Sequence, residues 1–217
     1  MHYELEKVYV IDSGNILNKY NEDNKDIYKN AFRRVLFNSG INLINEFSLL
    51  NDIPKITVKV EGYSSKGLKG YYYNNRSTLY ILLENCSRIN PMYSFPGFTS
   101  NATAQGVVVH EYGHYLTSSR FKPFKESLNT IKKRINESCI TSYCPDTKEW
   151  FAEQLKLFIT NPDLLKLIRP NTYKEFCKYW KPLDKGTYME VLYEFVDEIP
   201  DRILHRLEIL KRKACAW

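Results

Sequence analysis

Val107-Val108-Val109-His110-Glu111-Tyr112-Gly113-His114-Tyr115-Leu116 is the stretch on which the reading of this chain turns. At its centre is the pattern H-E-x-x-H. On an α-helix, positions i and i+4 lie on one face, one turn apart. Two imidazoles so placed can share one Zn²⁺ through ring nitrogens at ~2.0–2.1 Å. The glutamate beside the first histidine can reach a water on the open side of the ion. Zinc lowers the pKa of that water towards ~7 and the glutamate can take its proton, which leaves a nucleophile able to attack a peptide carbonyl. Val107 to Val109 would suit a strand in isolation, but the ligand geometry works only on a helix. Apolar residues on both sides of the motif predict a helix buried apart from its metal face. With only four histidines in the chain, the pattern seldom arises by chance. The competing reading is a helix with two exposed or hydrogen-bonded histidines.

A catalytic zinc takes a third protein ligand and keeps a fourth position open. Metzincins supply the third as H-E-x-x-H-x-x-G-x-x-H. Here the glycine position is Thr117 and the last histidine position is Arg120, which excludes that class. His2 and His205 are remote in sequence. A carboxylate from a later helix is the natural alternative, and Lys148-Glu149-Trp150-Phe151-Ala152-Glu153-Gln154-Leu155 offers two at i and i+4. The first, Glu149, can bind zinc. The second, Glu153, can accept a hydrogen bond from a ligand histidine's other nitrogen and fix its tautomer. The competing reading is a solvated acidic face at a helix N-terminus, where carboxylates are favoured in any case.

Working outward, Asn101 or Thr103 is the expected N-cap of the motif helix, which ends near Ser118. Pro123 to Glu137 reads as an amphipathic helix. Asp146-Thr147-Lys148-Glu149 has the spacing of a capping box, so another helix opens there and runs to about Thr160, where Asn161-Pro162 stops it. Pro170 and Pro200 break a mostly helical remainder. On the N-terminal side, Tyr3 to Val10 is a short strand or an extended lead-in. Helical spacing runs from about Asp26 to Phe37; Gly40 interrupts, and Ile41 to Leu50 resumes as a second helix. Ile56 to Glu61 alternates with period two. Gly70 to Tyr73 and Thr78 to Leu83 flank Asn74-Asn75-Arg76-Ser77 as a hairpin. Arg88 to Phe98 is loop-like. The fold class is α+β: a small mixed sheet and the motif helix, followed by a mostly helical C-terminal half. The expected organisation is an N-terminal helical segment at 1–50, a catalytic core at 51–170 and a helical extension at 171–217, all within one compact domain.

The chain has 217 residues, 43% hydrophobic and 26% charged, which suits a folded protein and excludes long disorder. Much of the net charge of +6 sits in Lys132-Lys133-Arg134 and Lys211-Arg212-Lys213. These read as two solvated helix faces, because no basic stripe interleaved with aromatics recurs; a nucleic-acid partner is therefore not expected. No apolar targeting segment follows Met1 to Lys7, and no apolar run reaches the ~20 residues that cross a bilayer, so the expectation is a soluble, cytoplasmic protein with no membrane partner. The five cysteines form no C-x-x-C pair. Cys139 and Cys144 could close a short loop, but the odd count and the absence of an export signal favour free thiols.

His110-Glu111-Tyr112-Gly113-His114 together with Glu149-Trp150-Phe151-Ala152-Glu153 resembles the gluzincin metallopeptidases. The likeness is to a small branch with lethal-factor-like and phage-encoded proteins, in which an H-E-[FY]-G-H helix precedes an E-x-[FL]-A-E helix. It covers roughly Ile56 to Pro170. The resemblance implies a zincin-like fold, His110, His114 and Glu149 as zinc ligands, Glu111 as general base and Glu153 as their outer partner. In lethal factor a tyrosine shortly before the ligand glutamate helps to hold the oxyanion. Tyr143 is the candidate here, at a spacing that does not match cleanly. Such peptidases also pair an edge strand with the extended substrate backbone, and Thr78 to Leu83 is the candidate strand. The expected activity is zinc-dependent hydrolysis of a protein or peptide substrate. The alternatives are a non-catalytic zincin-fold structural or interaction protein, such as a virion component, and a repressor-cleaving regulatory protease, for which no helix-turn-helix is visible.

Overall fold

A computed structural model describes residues 2–17, 27–86, 102–119, 121, 123–141 and 143–184. The expected loop at Arg88 to Phe98, His205, Cys215, the basic run at Lys211 and most of the C-terminal extension lie outside the described residues. Within them the chain is α+β, with a five-stranded mixed sheet and six α-helices.

The strands are β1 (His2–Glu4), β2 (Val8–Ile11), β3 (Ile56–Glu61), β4 (Gly70–Tyr73) and β5 (Thr78–Leu82), in the spatial order β1-β2-β3-β5-β4. The N-terminal lead-in is thus two antiparallel strands, with Tyr3 opposite Val10. Strands β2, β3 and β5 run parallel, and β4 closes the far edge antiparallel to β5, with Tyr72 opposite Leu79. Period-two patterning sends Val8, Val10, Ile56, Val58, Leu79 and Ile81 into the core, all fully buried or nearly so. The hairpin turn at Asn74–Arg76 closes on Ser77 in the left-handed region, at φ 45°.

Helix α1 (Ile27–Leu50) is one continuous helix. Gly40, expected to interrupt it, lies inside it. A Cβ there would sit 3.0 Å from Val108 Cβ and 3.1 Å from Gln105 Cα, so the glycine serves close approach to the next helix and does not break its own. That next helix, α2 (Ala104–Leu116), carries the H-E-x-x-H motif. Thr103 caps it, its hydroxyl accepting from the Gly106 N–H at 3.3 Å. Every α2 residue except His114 is buried. It packs between α1, α4 and the β4–β5 hairpin. The three valines are helical because burial on all sides outweighs their modest β preference. Tyr112 Oη lies 2.6 Å from Ser48 Oγ and ties α2 to α1 in the core.

Helix α3 (Leu128–Ile135) is shorter than expected: Ser127 caps it, and residues 123–127 are not helical. Two residues of its basic run are engaged with their own chain, and Lys133 is exposed. Lys132 sits over the Trp150 ring, and Arg134 pairs with Glu126 at 2.7 Å and Glu175 at 2.6 Å. Helix α4 (Thr147–Thr160) follows, capped by Asp146, whose side chain accepts from the Glu149 N–H at 2.9 Å. Asn161 ends α4 and caps α5 (Pro162–Ile168), and Pro170 opens α6 (Pro170–Phe176). Cys139 and Cys144 form a disulfide, which corrects the expectation of free thiols. An odd cysteine count cannot show which pair the fold brings together. Among the described residues, no helix is long and apolar enough to cross a membrane.

Candidate metal centre

Two helices build the site. From α2, His110 and His114 present their imidazoles one turn apart, with ring centroids 4.9 Å from each other. From α4, Glu149 reaches both: its Oε2 lies 3.0 Å from His110 Nε2 and its Oε1 3.3 Å from His114 Nε2. The three residues offer ligand atoms that all lie within 4.8 Å of one another. Ligands at ~2.0–2.1 Å around one tetrahedral ion stand about 3.3 Å apart. The two carboxylate–imidazole distances, each from a different Glu149 oxygen, are close to that spacing, and two imidazole nitrogens with one carboxylate suit a divalent metal.

The helices are held together at the backbone. A Cβ on Gly113 would lie 2.9 Å from Ala152 Cα and 3.1 Å from Ala152 O. The glycine inside the first motif and the alanine inside the second are thus the crossing point of α2 and α4. Close crossing brings Glu149 and Glu153, on one face of α4, up to the histidines of α2. Asp146 satisfies only half of a capping box. The Glu149 carboxylate turns away from the cap towards His110 and His114.

Behind these three residues, Glu153 is fully buried. Its Oε1 is 2.7 Å from His110 Nδ1 and 2.5 Å from Lys156 Nζ, and its Oε2 accepts from the Thr141 hydroxyl at 2.7 Å. Burial works against a charge on His110, but hydrogen bonds to Glu149 and Glu153 outweigh it and push its pKa up to about 9. Burial likewise opposes charge on the two carboxylates. Hydrogen bonds to His110 and His114 nevertheless hold Glu149 well below the usual carboxylate range, and Lys156 and His110 hold Glu153 down at about 2.

Glu111 is different. Burial pushes its pKa up, against the neighbouring histidines and the Tyr72 backbone N–H, which donates to it. It lies under β4, where a Cβ on Gly70 would come within 2.9 Å of Glu111 Cγ and 2.7 Å of Val107 Cγ1. A cleft of about 740 Å³ opens over His110, Glu111, His114 and Glu149, bordered by β4, by the 123–128 segment and by Tyr143. The Tyr143 ring is half-exposed and stands 5.9 Å from that of His110, centroid to centroid. Its phenol is pushed up by burial and by Glu149.

The fold therefore brings together His110, Glu111, His114, Glu149, Glu153 and Tyr143. His2 is not among them: it stacks on Tyr9 at the other end of the sheet. The edge-strand expectation needs correction. Strand β5 lies between β3 and β4 and has no free edge, whereas β4 is the edge strand and borders the cleft. Register places the backbone groups of Tyr71 and Tyr73 towards β5 and those of Gly70 and Tyr72 outward. Sequence reasoning also missed Thr141 and Lys156. Lys156 carried a signal, a lone cation three residues after Glu153 within the otherwise apolar Leu155-Lys156-Leu157-Phe158. Thr141 carried none. Comparison with family models, with curated proteins and with solved structures finds no match to this chain.

Proposed function

We propose that this chain is a zinc-dependent endopeptidase of gluzincin type, with a zincin-like core. The observation that carries the reading is the meeting of His110, His114 and Glu149 at metal-ligand spacing, with Glu111 beside them on the floor of an open cleft. Each residue then has a separate task. His110, His114 and Glu149 hold the ion. When bound, zinc supplies Lewis acidity, polarising a carbonyl and making a nearby water easier to deprotonate. Glu111 receives that water's proton and passes it to the departing amine. A carboxylate placed beside the water position can carry a proton both ways. The Tyr143 phenol, over His110 at the cleft wall, donates to the oxygen on which charge develops. The Tyr72 N–H is engaged by Glu111, so the outward groups of β4 that can pair with an extended peptide are those of Gly70 and the Tyr72 carbonyl; such pairing would place a scissile bond over the site and favours a protein substrate in an extended conformation.

The test is metal analysis of the purified protein together with activity against a denatured protein mixture, for wild type and Glu111→Gln. One zinc per chain in both proteins is expected, with fragments from wild type alone that vanish on chelation. Removal of the base should slow cleavage by ~10²–10⁴-fold. Fragments undiminished in the variant would exclude Glu111 as the base. Zinc in both with cleavage in neither would favour a structural role for the ion.

A further inference from the structure

The Glu153 carboxylate has side chains on both of its oxygens, and their chemistry fixes the direction of each hydrogen bond. Lys156 is itself buried, its side chain 7% exposed, with Nζ 2.5 Å from Glu153 Oε1. An ammonium has three donors and no acceptor, so Glu153 accepts there. On the other oxygen, the Thr141 hydroxyl lies 2.7 Å from Oε2 and also receives the Tyr143 N–H at 3.3 Å. With the hydroxyl oxygen accepting from the backbone, its own hydrogen is directed to Glu153.

We infer that Lys156 and Thr141 are positioning residues of the metal centre: by donating to both oxygens of Glu153 they keep it an acceptor, which makes His110 Nδ1 the donor and leaves Nε2, which faces Glu149, as the nitrogen that would meet a bound metal. This rests on the reading that His110, His114 and Glu149 hold a metal. Charge supplies a second reason. Glu111, Glu149 and Glu153 bring three negative charges into a largely buried site. A divalent ion and Lys156 together balance them. Without Lys156 the loaded site would keep one uncompensated charge, a costly condition where water is excluded. Lys156 is buried on the carboxylate-bearing face of α4, where a Leu or Met would pack without desolvating an ammonium but would leave Glu153 without its cation. The placement on α4 is regular: 149, 153 and 156 follow i, i+4, i+7, so ligand, orienting carboxylate and cation share one face.

The experiment uses zinc itself as the probe, measured by chelator competition on the full chain. Lys156→Met keeps the length and apolar body of the side chain and removes the ammonium; Thr141→Val removes the hydroxyl at nearly constant shape. Loss of either is expected to weaken zinc binding, by about 10–100-fold for Lys156→Met and about tenfold for Thr141→Val, the range for outer partners of metal ligands. In a Glu153→Gln background the same substitutions should cost nothing further. The His110 Nδ1–H proton NMR signal of the zinc-loaded protein should be downfield and slow to exchange in wild type, and shifted or lost in both variants. A role in fold alone would lower the melting temperature equally in both backgrounds and leave zinc affinity and the Nδ1–H signal unmoved. Folded variants within twofold of wild-type affinity overturn the proposal, as does an undiminished effect without Glu153. If Lys156→Met does not fold, Thr141→Val decides: an unchanged Nδ1–H signal overturns the proposal. Failure of wild type to bind zinc at all is a different result, which removes the metal reading itself.

Discussion

Gly113→Ala puts the helix crossing to a test. The added methyl would stand 2.9 Å from Ala152 Cα and 3.1 Å from Ala152 O. Ordinary carbon contacts are ~3.5–4.0 Å, so α2 and α4 must part by roughly half an ångström or more. Overpacking of this kind costs ~1–3 kcal/mol. Alanine returns ~1 kcal/mol of helix propensity relative to glycine. The net loss is therefore about 0–2 kcal/mol, and a loss of ~1 kcal/mol lowers the melting temperature by ~2–4 °C for a chain of this size. The effect on metal is not offset in this way. Glu149 lies on one helix and the histidines on the other, and ligand positions tolerate errors of only ~0.2–0.5 Å. Zinc affinity by chelator competition should therefore fall about tenfold or more while the protein stays folded. Ala152→Gly should not rescue the variant, because the atoms met by the methyl are backbone. A Gly113→Ala protein that binds zinc within twofold of wild type, or that is rescued by Ala152→Gly, would refute this account of what spaces the ligands.

Other outcomes follow from the same geometry. Glu149→Gln should abolish tight zinc binding, whereas Glu153→Gln should weaken it by ~10–100-fold; the reverse order, read by equilibrium dialysis, would exchange their roles. In the metal-free protein, the raised pKa of His110 means that its charge stabilises the fold fully below its ordinary ~6.5, and that this contribution is lost as pH rises through about 9. Glu149 and Glu153, both held low, contribute above the ordinary carboxylate range and lose that contribution as pH falls towards about 2. Metal-free melting temperature should thus peak near pH ~5–6. Zinc competes with the His110 proton, so its affinity should climb with pH up to about 9, and a flat profile from pH ~6 to ~9 would count against a His110 ligand. Replacing Cys139 and Cys144 by Ser should destabilise the fold by about 2 kcal/mol, from closure of a loop with a sequence separation of 5. It should also weaken zinc binding, because the loop holds Thr141 against Glu153; unchanged affinity in the folded double variant would separate loop from site.

The parts of the site that a short window contains were legible in the sequence. H-E-x-x-H fixes its own geometry through helix periodicity, and the Glu149–Glu153 spacing places both carboxylates on one face. Strand β3 and the β4–β5 hairpin were equally local signals. What was not legible depends on which segments meet. Gly40 and Gly113 have the same composition signature as helix breakers, yet each marks a contact between helices distant in sequence. Whether β4 or β5 owns the free edge is a matter of sheet order, which strand patterning does not encode. The Cys139–Cys144 pairing and the Thr141–Glu153 bond likewise arise when the loop before α4 is laid against it.

The pairing of β2 with β3 carries a consequence for how the proposed metal site would be filled. Val8 meets Ile56, and His110 meets Glu149 39 residues further on. Both contacts close long loops, and the chain entropy lost in closing them is recovered only when whole elements dock. No local event can assemble the three ligands. During folding, an early ion can find the histidine pair of α2 but not Glu149, and two ligands do not make a closed site. The centre is completed together with the tertiary structure instead of nucleating it. The chain should reach its native arrangement by packing alone, and an ion bound by the proposed site would enter a finished socket through the open cleft and leave by the same route.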